Sequence, residues 1–310
     1  MGDLAVDTAL VEAGQIDDGA EGGEGREDGH AGASPDGPAR AGTRRCFTAT
    51  VSPDWAIWGP NGGYITSFAL RAAGLATGRA RPASIVAHIL GVAAFADIEV
   101  EATVLRTSRF ASSARVTVAQ GDRPIVEALV WGLDPGGAQL DHDTAPVPSV
   151  PAPEDLPTRD ERLAGIPPDE RPPDMSFFHN LDQRPLEWEP SWPPPGPLDP
   201  TVRWWARFVP TARFDDPWVD ACRLLIPIDT MGWPAASQAH AHEGPFEVVA
   251  VTVDLSVRFH RPADDEWLLA EATAPLAAGG LVVATGQVWD RAGALLASGS
   301  QTMLCRPAAV

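Results

Sequence analysis

The chain has 310 residues, 44% of which are hydrophobic, and its formal net charge at pH 7 is −19. The acidic balance argues against a protein that binds nucleic acid or an anionic membrane surface, because both need a basic patch. No apolar run reaches the ~18 residues of a membrane span, and Met1 to Gln15 lacks the basic and apolar regions of a secretory signal. A cytoplasmic protein is therefore expected, with length enough for one large domain or two small ones.

The residue types also limit the chemistry. All 23 basic residues are arginines, so no lysine can form a Schiff base. The three cysteines are far apart and follow no metal-binding spacing: Cys46, Cys222 and Cys305. Their apolar surroundings indicate small buried side chains in a reducing compartment, with a cysteine nucleophile as the alternative. No cofactor or metal is predicted.

Residues 1–43 are rich in glycine, alanine and acidic residues and lack aromatic side chains. Such a segment buries too little apolar surface to offset the entropy lost when it becomes ordered. It is predicted to be a disordered acidic tail.

Residues 44–133 contain one predicted helix among five predicted strands. A strand at 46–51 precedes a helix at 64–75, in which apolar residues fall at helical spacing. Four strands follow, at 84–92, 97–106, 111–119 and 124–133. A short glycine-containing hairpin joins the last two of them.

Residues 134–200 are dominated by prolines and acidic residues and are predicted to be a linker without much regular structure. Residues 201–310 then repeat the order of the first half. A strand at 202–209 and a helix at 217–237 come first, and four strands follow, at 247–260, 267–274, 281–289 and 294–304. This duplication predicts an α+β protein made of two similar units.

The second predicted helix carries a carboxylate on its apolar face. Asp229 shares this face with four residues at helical spacing: Trp218, Cys222, Leu225 and Gly232. A carboxylate in such a place is costly unless it is hydrogen-bonded or functional. Because Pro227 can kink or end a helix, the alternative is that the helix stops there and Asp229 caps it or faces water.

Two polar residues on predicted strands also stand out. Gln301 is the one polar residue on a strand face that otherwise carries Leu295, Ala297, Gly299, Met303 and Cys305. Its amide could be functional, or it could satisfy loose backbone groups. By strict alternation Thr252 lies opposite the apolar face of its strand, and this alone predicts a side chain that faces solvent.

The second half resembles the C-terminal half of the TesB-type (medium-chain) acyl-CoA thioesterases. The Thr-Val-Asp and Arg-Phe-His-Arg elements of residues 252–261 are similar to the family's strand motif, and residues 266–269 give its Glu-Trp-Leu-Leu. Residues 295–301 are similar to its closing hairpin with the glutamine, and Ile228-Asp229 to the end of its helix.

The first half carries two further similarities. Asn61-Gly62-Gly63-Tyr64 resembles the Gly-Gly start of the family's first helix, and residues 109–121 resemble its Arg-Ser-Phe…Gln-x-Gly stretch. The resemblance implies a double hot-dog fold, in which two long helices are each wrapped by an antiparallel sheet. It also implies an acyl-CoA substrate and a place in fatty acid metabolism.

The resemblance further suggests the site. We expect Asp229, Thr252 and Gln301 to hold and activate a water that hydrolyses the thioester to a free acid and CoA. The backbone N–H groups of Gly62 and Gly63, at the start of the first helix, are expected to stabilise the oxyanion. The alternative is that the asparagine before them caps this helix.

Two other functions stay open. Leu255 and Arg258 replace the histidine and tryptophan of the family's motif, which motivates an acyl-CoA-binding protein that has weak turnover or none. A hot-dog hydratase or dehydratase would need an acid–base pair, for which His240, His242 and Glu243 are the candidates. Hot-dog proteins commonly pair through their sheets, so a homo-oligomer is expected by analogy.

Overall fold

The computed structural model describes residues 1–17, 39–136, 140, 142–189, 193–243 and 248–307. Its helices are α1 (Leu4–Asp7), α2 (Gly62–Thr77), α3 (Arg159–Ala164), α4 (Pro217–Thr230) and α5 (Gly232–Gln238). Its strands are β1 (Val11–Asp17), β2 (Thr43–Thr50), β3 (Arg81–Ile89), β4 (Asp97–Thr107), β5 (Ala111–Gln120), β6 (Arg123–Leu133), β7 (Leu181–Pro185), β8 (Thr201–Phe208), β9 (Val248–Phe259), β10 (Leu268–Ala278), β11 (Leu281–Trp289) and β12 (Leu295–Pro307). Among these described ranges, no helix is both long and apolar enough to cross a membrane.

The strands form one antiparallel sheet in the order β1-β2-β4-β5-β6-β3-β9-β12-β11-β10-β8-β7. The order β2-β4-β5-β6-β3 in the first half is repeated as β8-β10-β11-β12-β9 in the second, so the predicted duplication is present. The halves join where β3 pairs with β9, from Ser84 opposite Arg258 to His88 opposite Asp254. Each half gains an added edge strand, β1 or β7.

The two long helices, α2 and α4, pack against each other inside the sheet. Nearly all of their residues are buried, including 13 of the 16 in α2. Glycines allow the close approach at both ends of the crossing. A Cβ added to Gly63 would lie 2.9 Å from Cα of Ile226, and one added to Gly74 would lie 2.5 Å from the Trp218 ring. The helices therefore run antiparallel.

Residues 1–17 differ from the predicted disordered tail. They form α1 and β1, and β1 pairs with β2 from Val11 to Asp17. The Leu4 side chain is buried, and the Gly2 N–H donates to Oδ1 of Asn180 at 2.7 Å. Backbone pairing, one buried leucine and side-chain hydrogen bonds, such as that from Trp55 Nε1 to Asp7 Oδ2 at 3.0 Å, hold the segment in place although its composition is polar. Residues 18–38 of the predicted tail lie outside the described residues.

The predicted linker also differs from the structure. Residues 153–185, called the crossover segment below, contain α3, two short 3-10 turns and β7. Strand β7 pairs with β8, and Phe177 and Asn180 are fully buried. A few apolar and amide side chains thus order a stretch whose overall composition is typical of a linker.

The predicted helix at 217–237 is two helices with a break at Met231. Pro227 lies inside α4 and does not end it. The alternative that the helix stops at Pro227 is therefore wrong, and Asp229 lies in the last turn of α4.

Candidate active site

Asp229 is held by the first turn of the opposite helix. Its side chain is 6% exposed, and its Oδ2 accepts a 2.7 Å hydrogen bond from the Gly63 N–H. Its Oδ1 is buried and has no partner among the described residues. The carboxylate thus has one fixed oxygen and one open oxygen.

Burial raises the pKa of Asp229. The Gly63 N–H favours the charged form and acts in the opposite direction, but the loss of hydration dominates. The positive end of α2 also favours an anion at this position. A carboxyl group whose pKa is raised in this way is a stronger base than an ordinary aspartate and is better suited to accept a proton.

The start of α2 fits closely around this carboxylate. A Cβ added to Gly62 would lie 3.0 Å from Oδ2 of Asp229, so glycine at this position allows the carboxylate to approach closely. Asn61 caps the helix, since its Oδ1 accepts from the Tyr64 N–H at 2.9 Å. Its Nδ2 donates to Oγ1 of Thr230 at 2.9 Å, which ties the start of α2 to the end of α4.

Gln301 fixes the last turn of α4. It is 2% exposed, and its Nε2 donates to the carbonyl oxygens of Ile228, at 2.9 Å, and Asp229, at 2.8 Å. Both amide hydrogens are therefore used on backbone groups. This agrees with the alternative interpretation of Gln301, in which its amide satisfies loose backbone groups. Its Oε1 accepts a 3.1 Å hydrogen bond from the Thr252 hydroxyl.

Thr252 faces inward, which corrects the prediction from strict alternation. In the pairing of β9 with β12, Thr302 lies opposite Asp254 but Met303 lies opposite Thr252, so Val253 is an extra, bulged residue. A bulge shifts the alternation by one residue. Thr252, half-buried, therefore lies on the same side of the sheet as Leu255.

A cavity of about 440 Å³ opens beside these residues. Asp229, Thr252, Asn61 and Gly62 line it, and Gln301 stands behind it. Most of the remaining wall is apolar, with its larger side chains from Ile57, Trp58, Ile89, Met175, Phe178, Trp233 and Met303. One arginine, Arg306, also lines it.

The other sequence candidates lie elsewhere. His240 contacts Glu243 at 3.1 Å on the surface, and neither residue lines the cavity. Cys222 is buried, and burial raises the pKa of its thiol to about 12. The described wall of the cavity contains no cysteine and no histidine.

Sequence reasoning missed the aromatic part of the wall. Met175 and Phe178 come from the crossover segment, Trp58 from the loop before α2 and Trp233 from α5. The apolar run Met-Ser-Phe-Phe at 175–178, inside a proline-rich stretch, was a usable signal for a packed element.

Family models match the chain in both halves. The model of the acyl-CoA thioesterase N-terminal domain matches residues 51–132, and that of the acyl-CoA thioesterase C-terminal domain matches residues 153–305. The chain belongs to the acyl-CoA thioesterase family. It is a thioester hydrolase, and the matched C-terminal domain includes the crossover segment.

Solved structures share the fold. The tesB protein of Mycobacterium avium subspecies paratuberculosis is 25% identical, with a TM-score of 0.66 over 84% of this chain and 93% of that one. An acyl-CoA thioesterase II of Mycobacterium marinum is 21% identical, with a TM-score of 0.67 over 85% and 94%. A conserved hot-dog protein of Alicyclobacillus acidocaldarius is 20% identical, with a TM-score of 0.67 over 99% and 98%. The double hot-dog fold is confirmed, while no curated protein matches the chain.

Proposed function

We propose that this thioesterase hydrolyses an acyl-CoA with a water activated by Asp229. One observation carries the proposal: a buried carboxylate in an apolar cavity has one oxygen fixed by the start of α2 and the other without a partner. Buried polar atoms are rarely left unpaired unless they have a ligand or a function.

The hydrogen bonds orient the water. Because the Thr252 hydroxyl donates to Gln301, its oxygen is free to accept. A water that donates one hydrogen to Asp229 Oδ1 and the other to Thr252 Oγ1 directs a lone pair of electrons at the thioester carbonyl. We assign Gln301 as a positioning residue, since it does not line the cavity and both of its amide hydrogens are engaged with the last turn of α4.

The reaction then needs no acyl-enzyme. Asp229 takes the proton as the water oxygen bonds to the carbonyl carbon, and a tetrahedral oxyanion forms. The carbon–sulfur bond breaks, and the proton on Asp229 passes to the leaving thiolate. The products are the free acid and CoA.

The sequence suggests two oxyanion donors, the N–H groups of Gly62 and Gly63, but we assign the role to only one of them. The N–H of Gly63 already donates to Asp229. Among the described residues, the N–H of Gly62 has no backbone partner, and it lies at the positive end of α2. We therefore assign the donor to Gly62, where the helix dipole adds to the hydrogen bond.

The two competing functions have less support. No histidine lines the described cavity, so the acid–base pair of a hydratase has no candidate there. Leu255 is fully buried in the core and Arg258 lies on the exposed face of β9, so neither replacement removes a group from the cavity.

The test is thiol release from a series of acyl-CoAs by the unmodified protein and by Asp229→Asn. We expect kcat to fall by about 100-fold or more in the variant, the usual effect of losing a general base. Asp254→Asn is the matched control, because this acid is two residues from Thr252, is 38% exposed at its side chain and does not line the cavity. Equal turnover by Asp229→Asn and the control would refute the proposal.

A further inference from the structure

The crossover segment supplies part of the cavity wall. Met175 and Phe178 lie at its second 3-10 turn, Ser176–Asn180, and both line the cavity. Ile57, from the first half, also lines the cavity. It directly follows Ala56, whose carbonyl accepts a hydrogen bond from this turn. This part of the wall is apolar.

Contacts with the first half anchor this turn both before and after Phe178 in the chain. The Phe177 N–H donates to the Ala56 carbonyl at 3.0 Å, and the Phe177 ring packs edge-on against Trp55 with centroids 6.1 Å apart. Asn180 is fully buried, and its Nδ2 donates to the Asp54 carbonyl at 2.8 Å. The position of Phe178 relative to the first half is therefore fixed by the fold.

Two neighbours hold the Phe178 ring itself. The Arg159 guanidinium lies over the ring, 4.3 Å from its centroid, and the Phe177 ring meets it edge-on at 5.3 Å. The Arg159 side chain is only 16% exposed, and burial lowers its pKa. A cation so far removed from water gains most from a ring directly beneath it. The remaining side of Phe178 faces the cavity.

We propose that Phe178, positioned by Arg159, sets the acyl-chain length that the cavity accepts. The inference rests on the proposed function, since it assigns the apolar wall to the acyl group of the thioester. The pantetheine arm of CoA carries amides that need polar partners, whereas the wall around Phe178 offers apolar side chains. Each methylene buried against such a wall changes affinity by about fourfold.

The test compares kcat/KM for butyryl-, hexanoyl-, dodecanoyl- and hexadecanoyl-CoA. In Phe178→Ala the ratio of hexadecanoyl- to hexanoyl-CoA should rise by about tenfold or more, because room for further methylenes is gained. Phe178→Trp should lower the same ratio. Arg159→Gln should give a smaller rise than Phe178→Ala, through KM more than kcat.

Phe110→Ala is the matched control. This ring also lies under an arginine, with the Arg109 guanidinium 4.9 Å from its centroid, but it does not line the cavity. The ratio should not change in this variant. An equal loss for all four substrates in Phe178→Ala and Phe178→Trp would overturn the inference, because the ring would then contact the CoA part or support the fold.

Binding separates this inference from the proposed function. The same substrates are titrated into Asp229→Asn and into Asp229→Asn with Phe178→Ala. The signal is the change in total tryptophan fluorescence, to which Trp58 and Trp233 in the cavity wall contribute. A shift in chain-length preference supports the role of Phe178 whether or not Asp229 is the base. Unchanged preference in binding and in turnover overturns it even if Asp229 proves essential.

Discussion

As the proposed general base, Asp229 is subject to two opposed requirements. A general base has to be charged, yet burial stabilises the neutral acid and raises its pKa. The Gly63 N–H offsets part of this cost by favouring the carboxylate. The residue is thus poised between a stable neutral form and a reactive charged one.

The raised pKa predicts the pH dependence of turnover. We expect kcat to fall as the pH is lowered, with a midpoint above the 3.8 of an ordinary aspartate, because protonated Asp229 cannot accept the proton of the water. A pH profile of kcat measures it, and the residual activity of Asp229→Asn should lack this limb. A midpoint at or below 3.8 would contradict the assignment.

The same shift predicts a gain in stability on removing the charge. A carboxyl whose folded-state pKa is raised favours folding fully below its unfolded-state pKa, and this contribution is lost as the pH rises through the folded-state pKa. Asp229→Asn should therefore have the higher Tm at pH 8, by about 2–4 °C for each kcal/mol of cost relieved. The difference should shrink as the pH is lowered and the wild-type acid is protonated. Thermal unfolding followed at several pH values tests this, and an equal Tm at pH 8 would count against a charged, destabilising Asp229.

The three proposed site residues, Asp229, Thr252 and Gln301, are not equally visible in the sequence. Asp229 and Gln301 stand out because each is polar on an apolar face, and such breaks in pattern are visible without a structure. Thr252 is not visible in this way. Its inward position depends on the bulge at Val253, which arises only from the pairing of β9 with β12. The resemblance, and not the alternation, places Thr252 in the candidate site.

At the scale of elements, the two glycines of the α2–α4 crossing have different roles. Gly63 lies against Ile226 and Asp229, whereas Gly74 lies against the ring of Trp218. Both contacts leave too little room for a methyl group.

Alanine at each position separates the two roles. Gly63→Ala and Gly74→Ala should each cost about 1–3 kcal/mol of unfolding free energy, because both overpack the same helix pair. Gly63→Ala should in addition lower kcat well beyond Gly74→Ala, since it displaces Asp229. Denaturant unfolding and thiol release measured side by side test this. Similar kcat values for the two variants would mean that the position of Asp229 tolerates movement of the crossing.

How well a strand or helix can be predicted from the sequence depends on what stabilises it. The strand at Leu281–Trp289 has the bounds predicted from its apolar pattern, since its own side chains bury against the helices. The edge strands β1 and β7 have no such pattern. They form because β2 and β8 offer free backbone groups, which is information from another part of the chain.

At the scale of the whole molecule, a chain of net charge −19 repels an anionic substrate. We expect kcat/KM for an acyl-CoA to rise about twofold or more as NaCl is increased from ~10 to ~150 mM, because salt screens this repulsion. The uncharged S-acyl-N-acetylcysteamine thioester of the same acid is the control and should show no such rise. A fall with the CoA substrate would show that local arginines, such as Arg306 at the cavity, dominate the encounter.

Because α2 and α4 cross in antiparallel directions, the two ends of the crossing are formed by equivalent positions of the two helices. Gly63 and Trp218 are each the second residue of their helix, and Asp229 and Gly74 each the thirteenth. Where one end has an acid against a glycine, the other has a glycine against an indole, whose Nε1 donates to the Arg79 carbonyl at 2.8 Å. The second end of the crossing thus has a glycine and an indole where the first end has a glycine and the proposed base. Under the proposed function, the described crossing of two similar units therefore offers one catalytic base instead of two, and we expect each chain to turn over one acyl group at a time.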